Sequence, residues 1–143
     1  EYIHRASFGA PLDPYAVRLN YAGHATFVIE TPGGVTAATD YTGFLGTADV
    51  VPDVVTMNIA HGSHYTMSPD PRIPHVLRGW GDGAAPADHY LSVGDMLVRN
   101  VTTDIRSFDS GRRNNANSIF IFEVAGLWIG HLGHLHHEPA EAQ

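Results

Sequence analysis

No stretch of this chain carries a strong apolar period of about 3.6 residues, so few helices are expected. Short β-favouring runs recur instead, separated by segments rich in glycine, proline and aspartate. The pattern predicts strands at Val17–Tyr21, Thr26–Glu30, Val35–Thr39, Asp53–Met57, His75–Leu77, His89–Val93, Met96–Thr102, Ser118–Val124 and Leu127–Gly130. Thr31-Pro-Gly-Gly34 and Ala125-Gly126 read as hairpin turns. Asp53–Met57 is almost continuously apolar, as a strand buried on both faces would be. Ile119-Phe-Ile-Phe122 is apolar on both faces too, which places it in the centre of a sheet. A β-rich layer of this size needs a covering element, and the chain supplies few candidates for one.

Six of the ten histidines fall in two clusters, His61-Gly-Ser-His64 and His131-Leu-Gly-His134-Leu-His136-His137. Each follows a predicted buried strand, so the imidazoles sit at strand ends, where two junctions can face one another. There is no cysteine, which leaves imidazole as the only strong nitrogen or sulfur ligand for a transition metal. Solvated histidine-rich loops are the alternative. The paired spacing, occurring twice in comparable contexts, favours a metal site.

The length of 143 residues suits one domain, taken as residues 1–143, with no repeat or linker dividing it. A hydrophobic share of 43% with 16% charged residues argues against disorder. All eight basic residues are scattered arginines, apart from the pair Arg112-Arg113, and the net charge is −7, so nucleic acid is not an expected partner. The longest apolar runs are strand-sized, so a soluble chain with no membrane partner is expected. Cysteine usage does not separate a cytoplasmic from an exported location. The chain begins at Glu1, so removal of an upstream leader or other segment is expected.

Several segments resemble the metallo-β-lactamase superfamily. They are Tyr21-Ala-Gly-His24-Ala-Thr-Phe-Val-Ile-Glu30, Ala38-Thr-Asp40, Pro52-Asp-Val-Val-Thr-Met57 and Asn117-Ser-Ile-Phe-Ile-Phe-Glu-Val-Ala-Gly-Leu-Trp-Ile-Gly-His131-Leu-Gly-His134. The branch they most resemble is that of the ascorbate-phosphate lactonases. The resemblance runs from about Val17 to His137. It implies an α/β fold, the αββα sandwich of that superfamily, present here as a β-rich N-terminal portion without the C-terminal βα segment. It implies a hydrolase of esters, lactones or phosphoesters that acts on a small-molecule substrate through metal-bound hydroxide.

Departures from the family pattern narrow the chemistry. The motif His-x-His-x-Asp-His becomes Ile59-Ala-His61-Gly-Ser63-His64, which loses one histidine and the aspartate. The later His-x-Gly-Asp keeps its histidine as His131 and has His134 at the metal-bridging position. The family's further C-terminal histidine has no counterpart before Gln143. Two zinc ions within ~3.5–4 Å need anionic ligands to offset their charge. His61, His64, His131 and His134 are neutral when ligating, so the set suits one ion, most simply Zn²⁺. An open fourth position would acidify a bound water, whereas a closed shell would make the site structural.

Around the ligands, His24, Asp40 and Ser63 are expected as supporting residues, with Asp40 hydrogen-bonding a ligand or simply ending a turn. His136 and His137 are possible extra ligands, of which at most one is expected to serve, because adjacent side chains often point apart; His136 is the candidate. Asp104, Arg106 and Asp109 are read as a loop leading to Arg112-Arg113, either solvated or holding an anionic group. Tyr65 and Trp80 either line a pocket or pack. A sheet face holding Phe120, Phe122 and Trp128 should not stay in water. It is expected to be covered by a second polypeptide carrying the absent C-terminal segment, or by self-association. The alternative to a hydrolase is a degenerate, non-catalytic metal-binding member of the same fold, because Ser63 cannot orient or deprotonate an attacking water as aspartate would.

Overall fold

Burial alternates along much of the longest strands, and the fold follows from where the buried faces point. The computed structural model describes residues 9–82, 85–106 and 111–139. Its strands are β1 (Arg18–Gly23), β2 (Thr26–Glu30), β3 (Thr36–Ala38), β4 (Val54–Met57), β5 (His75–Arg78), β6 (Tyr90–Val93), β7 (Met96–Ile105), β8 (Arg113–Val124) and β9 (Leu127–His131). They form a five-stranded sheet in the order β1-β2-β3-β4-β5 and a four-stranded sheet in the order β6-β7-β8-β9. The described residues include no helix.

The two sheets share one core. Ile29, Val35, Ala37, Val54 and Leu77 from the first sheet and its turns meet Met96, Val98, Phe120 and Phe122 from the second. Burying side chains of this size stabilises by about 1.5–3 kcal/mol each before entropy is counted. A second cluster lies around Ala38, Tyr41, Val55, Met57 and Ile73, with Leu45, Tyr65 and Trp80 packed against it. β4 therefore contributes to both clusters and is buried throughout, as its apolar run predicts. Tyr65 and Trp80 pack edge to face at 5.9 Å between ring centroids, so packing is the reading that holds for them.

β3, β4 and β5 pair in parallel, which requires long crossovers, and here residues 39–53 and 58–74 make them without regular structure. Those two segments carry Asp40 and the first histidine cluster. At the opposite end, Asp95 ties the sheets together: it accepts from Thr31 Oγ1 at 2.5 Å and from the Gly33 N–H at 2.7 Å.

Two expectations need correction. The two-residue turn Ala125-Gly126 pairs Val124 with Leu127 and Glu123 with Trp128. Opposed residues share a face, so Trp128 lies with Glu123, on the opposite side from Phe120 and Phe122. Phe120 and Phe122 are fully buried in the core, while Trp128 is 74% exposed beneath the Arg99 guanidinium, which sits 5.3 Å from its ring centroid. Secondly, β7 continues to Ile105 and β8 begins at Arg113, so Asp104 belongs to a strand and not to a loop. Its carboxylate accepts from the Asn115 N–H at 2.9 Å and from Arg112 Nε at 2.5 Å. Arg112 is thereby engaged in an ion pair, and Asp109 lies outside the described residues.

Candidate metal centre

The histidines gather where three junctions meet. The two-residue turn His24-Ala25 closes the β1–β2 hairpin, with His24 in the left-handed region at φ 50°. Residues 58–64 leave β4, and residues 132–137 leave β9.

His64 is the buried member, 4% exposed, and its Nδ1 is hydrogen-bonded to the fully buried Asp40 carboxylate. A carboxylate only accepts, so the proton sits on Nδ1 and Nε2 is the nitrogen left for a ligand. Asp40 Oδ1 also accepts from Asn58 Nδ2 at 3.0 Å. Asp40 thus holds His64 and Asn58 together.

The rings of His24, His61 and His134 surround His64. Centroid separations are 5.2 Å for His24–His64, 6.1 Å for His61–His64, 5.5 Å for His64–His134 and 4.7 Å for His61–His134. With Zn–N near 2 Å, imidazoles on one tetrahedral ion have centroids roughly 5 Å apart. The spacing is thus that of a ligating set, although among the described residues no three His, Asp or Glu donors converge on one point. Burial, and then the positive charge that His61, His64 and His136 can carry, lowers the His134 pKa below its ordinary 6.5. The shift favours the neutral form that ligation needs.

His131 lies differently. Its Nε2 donates to the Ala25 carbonyl at 2.8 Å, so its Nδ1 is a bare acceptor, buried with no hydrogen-bond partner among the described residues. His136 Nδ1 is orphaned in the same way. A buried unsatisfied acceptor costs about 1–3 kcal/mol, which a coordinating cation would offset. Nothing anionic among these imidazole donors would bridge two ions. His136 and His137 pack edge to face at 5.0 Å.

Beside the cluster is a cavity of about 240 Å³ lined by Gly23, His24, Thr26, Thr42, Phe44, Gly62 and Ser63. Neither an arginine nor a carboxylate lines it.

Two residues were given no role in the reading of the sequence: Asn58 and Asn117, both fully buried. Asn58 bridges Asp40 and β8, donating to the Ser118 carbonyl at 3.3 Å and accepting from the Ser118 N–H at 2.8 Å. Asn117 accepts from the His134 N–H at 2.8 Å and donates to the Leu132 carbonyl at 3.1 Å. An amide directly after the buried strand β4, and another inside β8, was the available signal.

The family described as "Beta-lactamase superfamily domain" matches residues 18–143. The chain belongs to this family. The β-lactamase-superfamily fold is also found in solved structures. One, from Thermotoga maritima and assigned to the Zn-dependent hydrolases of the metallo-β-lactamase superfamily, is 27% identical with a TM-score of 0.54 over 89% of this chain and 54% of that one. A second, from Parabacteroides distasonis and assigned as a metal-dependent hydrolase, is 13% identical with a TM-score of 0.57 over 82% and 60%. A third, CmlA, a diiron β-hydroxylase from Streptomyces venezuelae, is 16% identical with a TM-score of 0.52 over 85% and 30%. The last two likenesses concern the fold alone. This β-lactamase-superfamily chain spans about half the length of the first of these relatives. No curated protein matches it significantly. Among the described residues no helix is long and apolar enough to cross a membrane.

Proposed function

We propose that the chain is a metal-dependent hydrolase of its superfamily, nearest in pattern to the lactonase branch, that works with a single divalent ion, most simply Zn²⁺. The carrying observation is the Asp40–His64 hydrogen bond within the group of packed imidazoles. His61, His64 and His134 are the proposed ligands, with His131 Nδ1 as the fourth donor. The ion, when bound, supplies the Lewis acidity and the acidified water on which hydrolysis depends.

The chain's own residues set the rest. Asp40 fixes the His64 tautomer and ring angle. His24 and Ser63 line the cavity and can hydrogen-bond a substrate there. The cavity's walls hold no cation to pair with a phosphate, which favours a small neutral ester or lactone over a phosphoester. In place of the family aspartate, Ser63 offers no base, so turnover should be slow and should rise with pH. The residues beyond the family's N-terminal portion would complete the αββα sandwich, as a further segment or a second polypeptide.

The absence of a carboxylate from the cavity wall favours a second reading, a non-catalytic metal-binding member. A panel of lactones, aryl esters and phosphodiesters, assayed after zinc loading with wild type and with Ser63→Asp plus His134→Asp, separates the two. Metal-dependent hydrolysis of the neutral esters, raised in the double variant, supports the hydrolase. Metal bound by both proteins with turnover by neither leaves the binder.

A further inference from the structure

We propose that Asn58 and Asn117 form a clasp that sets the separation of the two histidine arms. Resting on the metal-site reading above, the proposal makes both amides positioning residues. Asn58 leaves the end of β4 in the first sheet, yet its side chain pairs with both backbone groups of Ser118 in the second. It does so in the manner of one extra rung of a β-ladder. The same side chain holds Asp40, which holds His64, and the Asn58 N–H donates to the His64 carbonyl at 3.1 Å. One residue along β8, Asn117 grips the other arm through the His134 N–H and the Leu132 carbonyl, and braces itself on Thr103 Oγ1 at 2.8 Å.

Gly133 packs between the two amides. A Cβ there would lie 2.4 Å from Asn58 Nδ2 and 2.5 Å from Asn117 Oδ1, and its φ of +61° disfavours any other residue. Both arms therefore register on the dipeptide Asn117-Ser118. The 5.5 Å between the His64 and His134 rings is the dimension this clasp controls. Because the amides are fully buried and near their full hydrogen-bonding capacity, they have little freedom to readjust.

The test compares Asn117→Ala with Asp95→Ala, which cuts the inter-sheet tie at the opposite end of the molecule. Affinity for Co²⁺ and the visible spectrum of the cobalt protein are read in each. The clasp predicts that Asn117→Ala weakens Co²⁺ binding about tenfold or more and alters the spectrum, while Asp95→Ala does neither. Should the alanine variant fail to fold, Asn117→Asp, which keeps the acceptor for His134, is expected to give a smaller loss in the same direction. Unchanged cobalt binding by both Asn117 variants overturns the clasp, and so does an equal loss in Asp95→Ala. A wild type that takes up no cobalt refutes the metal reading instead. Hydrogen exchange of the metal-free proteins then decides: joint loss of protection at the His134 and Ser118 amides in the Asn117 variant supports the clasp, and loss at His134 alone overturns it.

Discussion

The imidazole of His64 is anchored through Nδ1 to the buried carboxylate of Asp40, which Asn58 holds from its other oxygen. Asp40 itself has a positive φ of 40°, a conformation that asparagine tolerates well. Asp40→Asn should thus preserve the backbone while leaving one acceptor oxygen for two donors, His64 Nδ1–H and Asn58 Nδ2. The expected outcome is a fall in zinc affinity of about 10- to 100-fold, read by competition titration, with a folded circular-dichroism spectrum.

Gly133→Ala should be destabilising. The added methyl group meets two buried amides and the backbone is left-handed. A loss of about 2 kcal/mol or more is expected, measured by urea unfolding.

Ala125 should accept a stabilising substitution. It stands in the β8–β9 turn with φ 52°, followed by Gly126 at φ 74°, the left-handed pair that a two-residue turn demands. Ala125→Asn gives the Asn-Gly sequence that such turns favour and should raise stability by about 0.5–1 kcal/mol. Thermal melting checks it.

Stability should vary with pH in two windows. The pKa of His134 is lower folded than unfolded, so the unfolded state binds its proton more readily. Stability is therefore full above 6.5 and declines as pH falls through and below that value. Asp70 is lowered to about 2, chiefly by its hydrogen bonds from Arg72. Its contribution is complete above 3.8 and disappears as pH falls through about 2. Melting curves from pH 8 to 2 should show the first decline abolished in His134→Ala and the second reduced in Arg72→Ala.

Much of this was legible in the sequence because β-strands announce themselves through alternation and turn residues. All nine predicted strands are present, and β8 is interior, as its doubly apolar Ile119–Phe122 run required. The outer reaches of β7 and β8 were not legible. There Thr103 pairs with Asn117 and Ile105 with Arg113, polar stretches whose strand form comes from cross-strand hydrogen bonding. The side on which Trp128 lies depended on register: a two-residue turn fixes it opposite Glu123, which counting apolar residues alone does not reveal. Within the site, the histidine clusters and Asp40 were visible as motifs. Asn58 and Asn117 were visible only as amides beside or inside buried strands; their partners lie in distant segments, which no local pattern identifies. His24 packs edge to face on His64, a contact between distant segments of the same kind.

The central claim is one divalent ion held by imidazoles. Its most direct measurement is elemental analysis of the zinc-loaded protein, joined to X-ray absorption at the zinc edge. The account predicts one zinc per chain in a nitrogen-rich shell with Zn–N near 2.0–2.1 Å, lost when His61 and His64 are both replaced by alanine. Stoichiometric zinc that survives that double replacement, or a wild type that retains none, would contradict it.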